Sequence, residues 1–237
     1  MKKDMANNEQ LGAKKSENVQ EKENFGTRFI NFFVKYQNVI YGVIIAILVV
    51  IAAIIALNKF YFTPKNEKAS AAMLAPINHY MVGDSLSLAM ALEGDDENDG
   101  FLTIISDYKM TKTANTAKFY AGLSYLKLNE KEEALNYLLQ FKKKEDVLWY
   151  ACQALIGDLY DEQGDESKAI TYYKKAVKND DPYFTPINLF KLGQMYERSE
   201  NWKEAAAVYK RIETEYYDQY QNMGVAKFAE NVKSKLK

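Results

Sequence analysis

From Val39 to Leu57, nineteen successive residues (VIYGVIIAILVVIAAIIAL) carry no charge. As a helix this run is about 28 Å long, close to the thickness of a bilayer's hydrocarbon core. Thirteen of the nineteen are Val, Ile or Leu, and each favours insertion by roughly 0.3–0.6 kcal/mol near the bilayer centre. The pattern predicts one transmembrane helix over 38–61, with Tyr41, Phe60 and Tyr61 at interfacial levels and Lys35 and Lys59 reaching head groups. A buried core helix would be shorter or broken by polar residues, and a cleaved signal would start nearer the N-terminus with a shorter run. Ahead of the run, Phe25, Phe29, Phe32, Phe33 and Tyr36 recur at offsets of four, seven, eight and eleven, so a helix places their rings on one face. This segment, 24–37, is expected either to lie in the interface as an amphipathic stretch or to extend the transmembrane helix. Residues 1–23 are polar and charge-mixed, too poor in large apolar side chains to bury a core, which predicts a disordered tail.

Beyond the membrane segment the pattern becomes periodic. Three stretches align in register: GLSYLKLNEKEEALNYLLQF from Gly122, GDLYDEQGDESKAITYYKKA from Gly157 and GQMYERSENWKEAAAVYKRI from Gly193, spaced 35 and then 36 residues apart. Each glycine is followed by a tyrosine three residues on (Tyr125, Tyr160, Tyr196), by Ala134, Ala169 or Ala205 at offset twelve, and by Leu138, Tyr173 or Tyr209 at offset sixteen. The small residues let the two helices of a hairpin approach closely, the tyrosine fills the gap one turn below, and the offset-sixteen residue is expected to reach toward the neighbouring hairpin. Turn residues fall between the halves at Asn129, at Gly164 with Asp165, and over Ser199 to Asn201.

These residues resemble the tetratricopeptide repeat, a helical hairpin of about 34 residues with the order Gly, Tyr, Gly, Ala, aromatic, Ala. The middle copy matches most fully, through Gly157, Tyr160, Gly164, Ala169, Tyr173 and Ala176, with Pro182 one residue late. The first copy departs with Asn129 and Phe141, the third with Glu200 and Ile212. The fold class expected is all-α: a single transmembrane helix followed by a tetratricopeptide-repeat α-solenoid over 66–237. Repeats are placed at about 115–148, 150–183 and 186–219, because one hairpin cannot bury its apolar face alone and stacks on neighbours. A degenerate hairpin is expected over 67–110, built from an Ala-rich helix, a loop at 94–100 and a short helix from Phe101. A capping helix over 220–236 closes the array through Val225, Phe228, Ala229, Val232 and Leu236.

Charge and composition then narrow the chemistry. Lys plus Arg number 31 against 32 Asp plus Glu, so no long-range field draws nucleic acid or substrate phosphates. The one histidine and one cysteine, His79 and Cys152, form no metal-ligand set and allow no internal disulfide. No phosphate loop, nucleophile elbow or metal-binding helix motif occurs, so no enzyme activity, cofactor, metal, nucleic acid or small-molecule substrate is expected. His79 has no partner carboxylate or nucleophile within sequence reach and reads as a surface or interface residue, and Cys152 reads as core. Lys142, Lys143 and Lys144 follow a helix and oppose its dipole. The acidic residues at 95–97 and 180–181 lack the calcium-loop spacing.

Function is expected on the inner face lined by the first helix of each hairpin. The register puts Phe119, Leu123 and Leu126 there in the first repeat, Ala154, Asp158 and Asp161 in the second, and Phe190, Gln194, Glu197 and Arg198 in the third, with ordinary helix packing as the competing reading. The carboxylate-clamping members of the repeat family use Lys and Asn at such positions, so Asp158 and Asp161 speak against that ligand. Near the membrane, Arg28 and Lys35 on one side balance Lys59, Lys65 and Lys68 on the other. Lys2, Lys3, Lys14, Lys15 and Lys22 tilt the count toward an N-terminus inside. The order of tail, span, Ala-rich helix and small repeat array resembles the ancillary SecYEG translocon subunit (YfgM-like) family of Gram-negative inner membranes. That resemblance implies a single-pass inner-membrane protein with a cytoplasmic N-terminus and a periplasmic repeat domain. Its implied partners are the SecYEG channel and a periplasmic chaperone, serving emerging clients; the rival reading is a scaffold of another envelope complex, for division or outer-membrane assembly.

Overall fold

The computed structural model describes residues 25–142 and 147–236, with side chains from Ile30 onward. The expected tail, Lys143 and Lys144, and the side chains of Phe25, Arg28 and Phe29 lie outside the described residues. The chain divides into two units, 1–61 and 62–237.

In the first unit, α1 (Phe25–Leu57) is unbroken, so the aromatic segment and the apolar run form one helix, with the rings of Phe32 and Tyr36 4.9 Å apart. Its length is about 50 Å at 1.5 Å per residue. It is long and apolar enough to cross a membrane, and the most apolar stretch buries none of its side chains within the protein. A π-helical turn, Asn58–Phe62, follows.

Among the described residues of the second unit the regular elements are all helices, with one isolated bridge, Gly94 to Asp99. The region expected as one degenerate hairpin instead holds four helices: α2 (Thr63–Ala72), α3 (Leu74–Val82), α4 (Ser85–Glu93) and α5 (Phe101–Asp107). The local chemistry explains the breaks. Pro76 has no N–H to give to the Ala72 carbonyl, and its ring crowds that oxygen, which interrupts the helix at Met73. Gly83 ends α3 in the left-handed region at φ 79°, and Asp84 starts α4 by accepting from the Ser87 N–H at 2.9 Å.

Three hairpins follow: α6 (Lys112–Lys127) with α7 (Lys131–Gln140), α8 (Val147–Glu162) with α9 (Glu166–Ala176), and α10 (Phe184–Arg198) with α11 (Trp202–Glu215). Their turns are built alike. Asn129, Gly164 and Glu200 each take positive φ, at 62°, 77° and 55°. One residue later the backbone N–H reaches back to the carbonyl of the repeat tyrosine: Glu130 to Tyr125, Asp165 to Tyr160 and Asn201 to Tyr196, at 2.8–2.9 Å. The positive-φ residue donates as well, Asn129 to Leu126, Gly164 to Asp161 and Glu200 to Glu197, so each two-bond closure satisfies carbonyls that a helix end leaves open.

Within each hairpin the close crossing is made by the repeat glycine. A Cβ added at Gly122 would stand 2.7 Å from Leu138, at Gly157 2.9 Å from the Tyr173 ring, and at Gly193 2.3 Å from the Tyr209 ring. The offset-sixteen residue thus folds onto the glycine of its own hairpin, a correction to the expectation that it reaches to the neighbour. Ala134, Ala169 and Ala205 are fully buried. The repeat tyrosine stacks across the hairpin: Tyr125 on Tyr137 at 5.5 Å and Tyr160 on Tyr172 at 5.4 Å. In place of one capping helix, α12 (Tyr217–Asn222) and α13 (Val225–Lys235) close the end, separated by Gly224 at φ 64°. Val225 and Val232 of α13 are fully buried in the last core cluster.

Candidate protein-binding surface

The first helices of the hairpins, α6, α8 and α10, carry the ten residues expected to meet a partner, and the structure divides them. Phe119 is core: it is 5% exposed and packs on Phe141 with ring centres 5.4 Å apart. Ala154 is buried as well, and Leu123 and Leu126 are half-buried against the same cluster as Phe119. Phe190 is covered by α13, whose Phe228 meets it edge-on at 4.9 Å. These side chains stabilise the stack, and the expectation that Phe119 and Ala154 face a partner is corrected.

The polar members form cross-links between helices. Lys191 Nζ of α10 lies 2.6 Å from Asp158 Oδ1 of α8, and the Tyr173 hydroxyl donates to the same oxygen at 2.6 Å. Burial, and then this bond to a carboxylate, pushes the Tyr173 hydroxyl well above the usual phenol range. Arg198 pairs with Asp161 and lies 3.7 Å from Glu166. Glu197 accepts from the Tyr209 hydroxyl and from Asn231 Nδ2 of α13 at 3.2 Å. Burial raises the Tyr209 hydroxyl, and the Glu197 contact adds to it. An open groove of about 390 Å³ lies elsewhere, beside α3, while a groove of about 300 Å³ runs over Asp161, Gln194, Met195, Glu197, Arg198 and Phe228.

Beyond these, Ile187, Lys191, Gln194 and Arg198 stand at offsets of zero, four, seven and eleven on α10, which is one side of a helix. Near the start of that row Tyr183, Phe184 and Ile187 are exposed, as is Val147 of α8. Val147, Tyr150 and Phe184 line a single narrow crevice. Sequence reasoning missed Val147, Tyr183, Phe184 and Ile187. The available signal was an apolar triplet, Tyr183, Phe184 and Ile187, at positions the repeat order does not use.

Two residues singled out from sequence sit apart from this surface. His79 does have an acidic partner: its Nε2 lies 2.9 Å from Asp95 Oδ2, a correction to the expectation that it has none. Cys152 is fully buried with its Sγ 3.4 Å from the Leu138 carbonyl, and burial pushes its thiol up to about 12.

Comparison with known proteins bears on the same hairpins. Tetratricopeptide-repeat family models match residues 116–145 and 155–219. Two crystal structures of Podosopora anserina putative kinesin light chain nearly identical TPR-like repeats resemble the chain. One is 11% identical over 72% of this chain and 93% of that one, with a TM-score of 0.47. The other, a substituted form of the same repeats, is 10% identical over 72% and 95%, with the same TM-score of 0.47. Comparison with curated proteins found no match. The hairpins over 116–145 and 155–219 are therefore tetratricopeptide repeats, set in an all-helical chain behind one long apolar helix.

Proposed function

We propose that the chain is a membrane-anchored protein-binding scaffold, held by α1 in an inner membrane with its N-terminus in the cytoplasm and its repeats in the periplasm. Tetratricopeptide repeats present protein-interaction surfaces, and the basic residues of the N-terminal segment favour this orientation. The observation that carries the binding half is the row of Ile187, Lys191, Gln194 and Arg198, exposed at both ends and half-buried at Lys191 and Gln194, with exposed Phe184 and Val147 beside it. Its charges are already matched, Lys191 with Asp158 and Arg198 with Asp161, so the apolar end offers a partner the greater gain from burial. The partner fitted is a polypeptide segment presenting apolar side chains to that end and hydrogen-bonding groups to Gln194. In the finer reading the scaffold is an accessory subunit of the SecYEG channel and works with a periplasmic chaperone on emerging clients. What supports it is the resemblance of the order of tail, span, Ala-rich helix and repeats to that of the ancillary translocon subunits.

Photocrosslinkers at Phe184 and Ile187, with Lys203 on α11 as reference, test this in native membranes. Capture of channel subunits or a periplasmic chaperone at the first two sites alone is the expected result. Capture of division or outer-membrane assembly factors would transfer the scaffold to another envelope complex. Equal capture at Lys203 would remove the surface, and survival of the repeats in protease-treated spheroplasts would reverse the orientation.

A further inference from the structure

Leu74, Met81 and Val82 of α3 and Leu86 of α4 are 67%, 74%, 68% and 68% exposed. The three on α3 stand at offsets of zero, seven and eight, on one side of the helix. The opposite side is occupied: Pro76 is buried and Tyr80 packs into the cluster that holds Met73, Phe101 and Ala121, which Ile77 also meets from the edge of the exposed side. Helix α3 is thus apolar on two sides, and the fold covers one. An exposed cluster of this kind marks a surface that something else covers.

Chain length points to the occupant. The ten-residue helix α2 and a single turn residue separate Phe62 from Leu74, so the two lie at most about 25 Å apart at 1.5 Å per step within the helix and 3.8 Å per other step. Phe62 follows Phe60 and Tyr61, the aromatic end of the apolar segment. With α1 in a bilayer, a lipid surface stays permanently within tether range of the patch, at a high effective concentration that no free partner matches. Charges of both signs stand near the α3–α4 turn. Lys127 Nζ lies 4.0 Å from the centre of the Tyr80 ring and donates to the Tyr80 carbonyl, while Asp84 is held by Ser87. Contact of this kind depends on apolar area and does not require anionic lipid.

We propose that the α3–α4 helix pair seats on the membrane surface, with Leu74, Met81, Val82 and Leu86 at the boundary between head groups and acyl chains. The inference rests on the anchoring of α1 proposed above.

The test places one nitroxide label at a time on the full chain, at Met81→Cys, Leu86→Cys, Ile47→Cys or Lys203→Cys, in phosphatidylcholine vesicles. Buried Cys152 stays in place. Collision with oxygen and with a water-soluble nickel complex is read by electron paramagnetic resonance. The expected oxygen-to-nickel ratio at Met81 and Leu86 is severalfold above that at Lys203 and approaches that at Ile47. A lipid-like Ile47 with Met81 and Leu86 matching Lys203 overturns the seating alone. A water-like Ile47 overturns the anchoring and the seating together. Dipolar broadening at Met81 that disappears on dilution with unlabelled chain, with a low oxygen ratio, assigns the patch to a second copy and likewise overturns the proposal.

Discussion

The ring of Tyr209 occupies the space where any side chain at Gly193 would begin, with its Cε1 2.3 Å from an ideal Cβ there. A methyl group at Gly193 must displace a stiff, fully buried ring whose hydroxyl is held by Glu197. Overpacking of this kind costs about 1–3 kcal/mol, against a helix-propensity gain of up to about 1 kcal/mol for Ala over Gly. Gly193→Ala is therefore expected to lower stability by about 1–2 kcal/mol in urea denaturation. Gly122→Ala should cost less, because Leu138 can change rotamer. Equal effects at the two positions would mean that the crossings do not depend on the ring.

Glu200 is a second test of the hairpin, because it holds at φ 55° a position that the middle repeat gives to Gly164. A side chain in the left-handed region costs roughly 1–2 kcal/mol, whereas Gly and, to a lesser degree, Asn adopt it readily. After the unfolded-state entropy that glycine adds, Glu200→Gly should raise stability by about 0.5–1 kcal/mol. Asn129→Gly should change it by much less. A drop in the Glu200→Gly denaturation midpoint would contradict the turn geometry.

The repeat frame was readable because each of its positions has one steric reason that recurs along the chain: Gly193 under Tyr209, Ala205 at the crossing, Glu200 in the turn. What stayed hidden depended on contacts across larger separations. The repeat register put Phe190 on the inner face of α10, but only the folded chain brings Phe228 of α13 over it. Phe119 likewise looked available until Phe141 closed on it. The region before the repeats was misjudged as one hairpin because Pro76 and Gly83 cut it into shorter helices, and His79 gained Asp95 from a loop 16 residues away.

The buried tyrosines predict an alkaline limit. Tyr173, Tyr209 and Tyr216 all have hydroxyls raised above the usual phenol value, first by burial and then by hydrogen bonds to Asp158, Glu197 and Asp180; Tyr216 is raised to about 12. Below the unfolded value of about 10 both states keep these protons, so stability is independent of them. Above it the unfolded chain loses protons more readily, and stability falls as pH rises toward the folded values. Urea midpoints should hold between pH 8 and about 9.5 and then decline. Tyr216→Phe, which removes one titrating group, should make that decline shallower; an unchanged slope would sink the assignment for Tyr216.

At the acid end the same linkage runs through Asp95. Its carboxylate lies far below the usual range, first because His79 hydrogen-bonds to it and then through the Glu97 N–H and the Asn98 side chain and N–H. A depressed folded value means that the contribution is fully present above the unfolded value of about 3.9 and is lost as pH falls through the folded one. The contacts tie the 94–100 loop to α3, so their loss should open the first part of the repeat unit while α8 to α11 stay closed. Hydrogen exchange at Glu97 and Asn98 should therefore quicken, relative to the intrinsic rate, below about pH 4. Asp95→Asn should show the quickened exchange already at pH 7, since a neutral amide holds His79 and the two N–H groups more weakly. Faster exchange at Asn98 in His79→Gln, with Tyr160 amide protection unchanged, would locate the tie at the His79 contact; uniform loss of protection in both helical regions would instead make the whole unit one cooperative block.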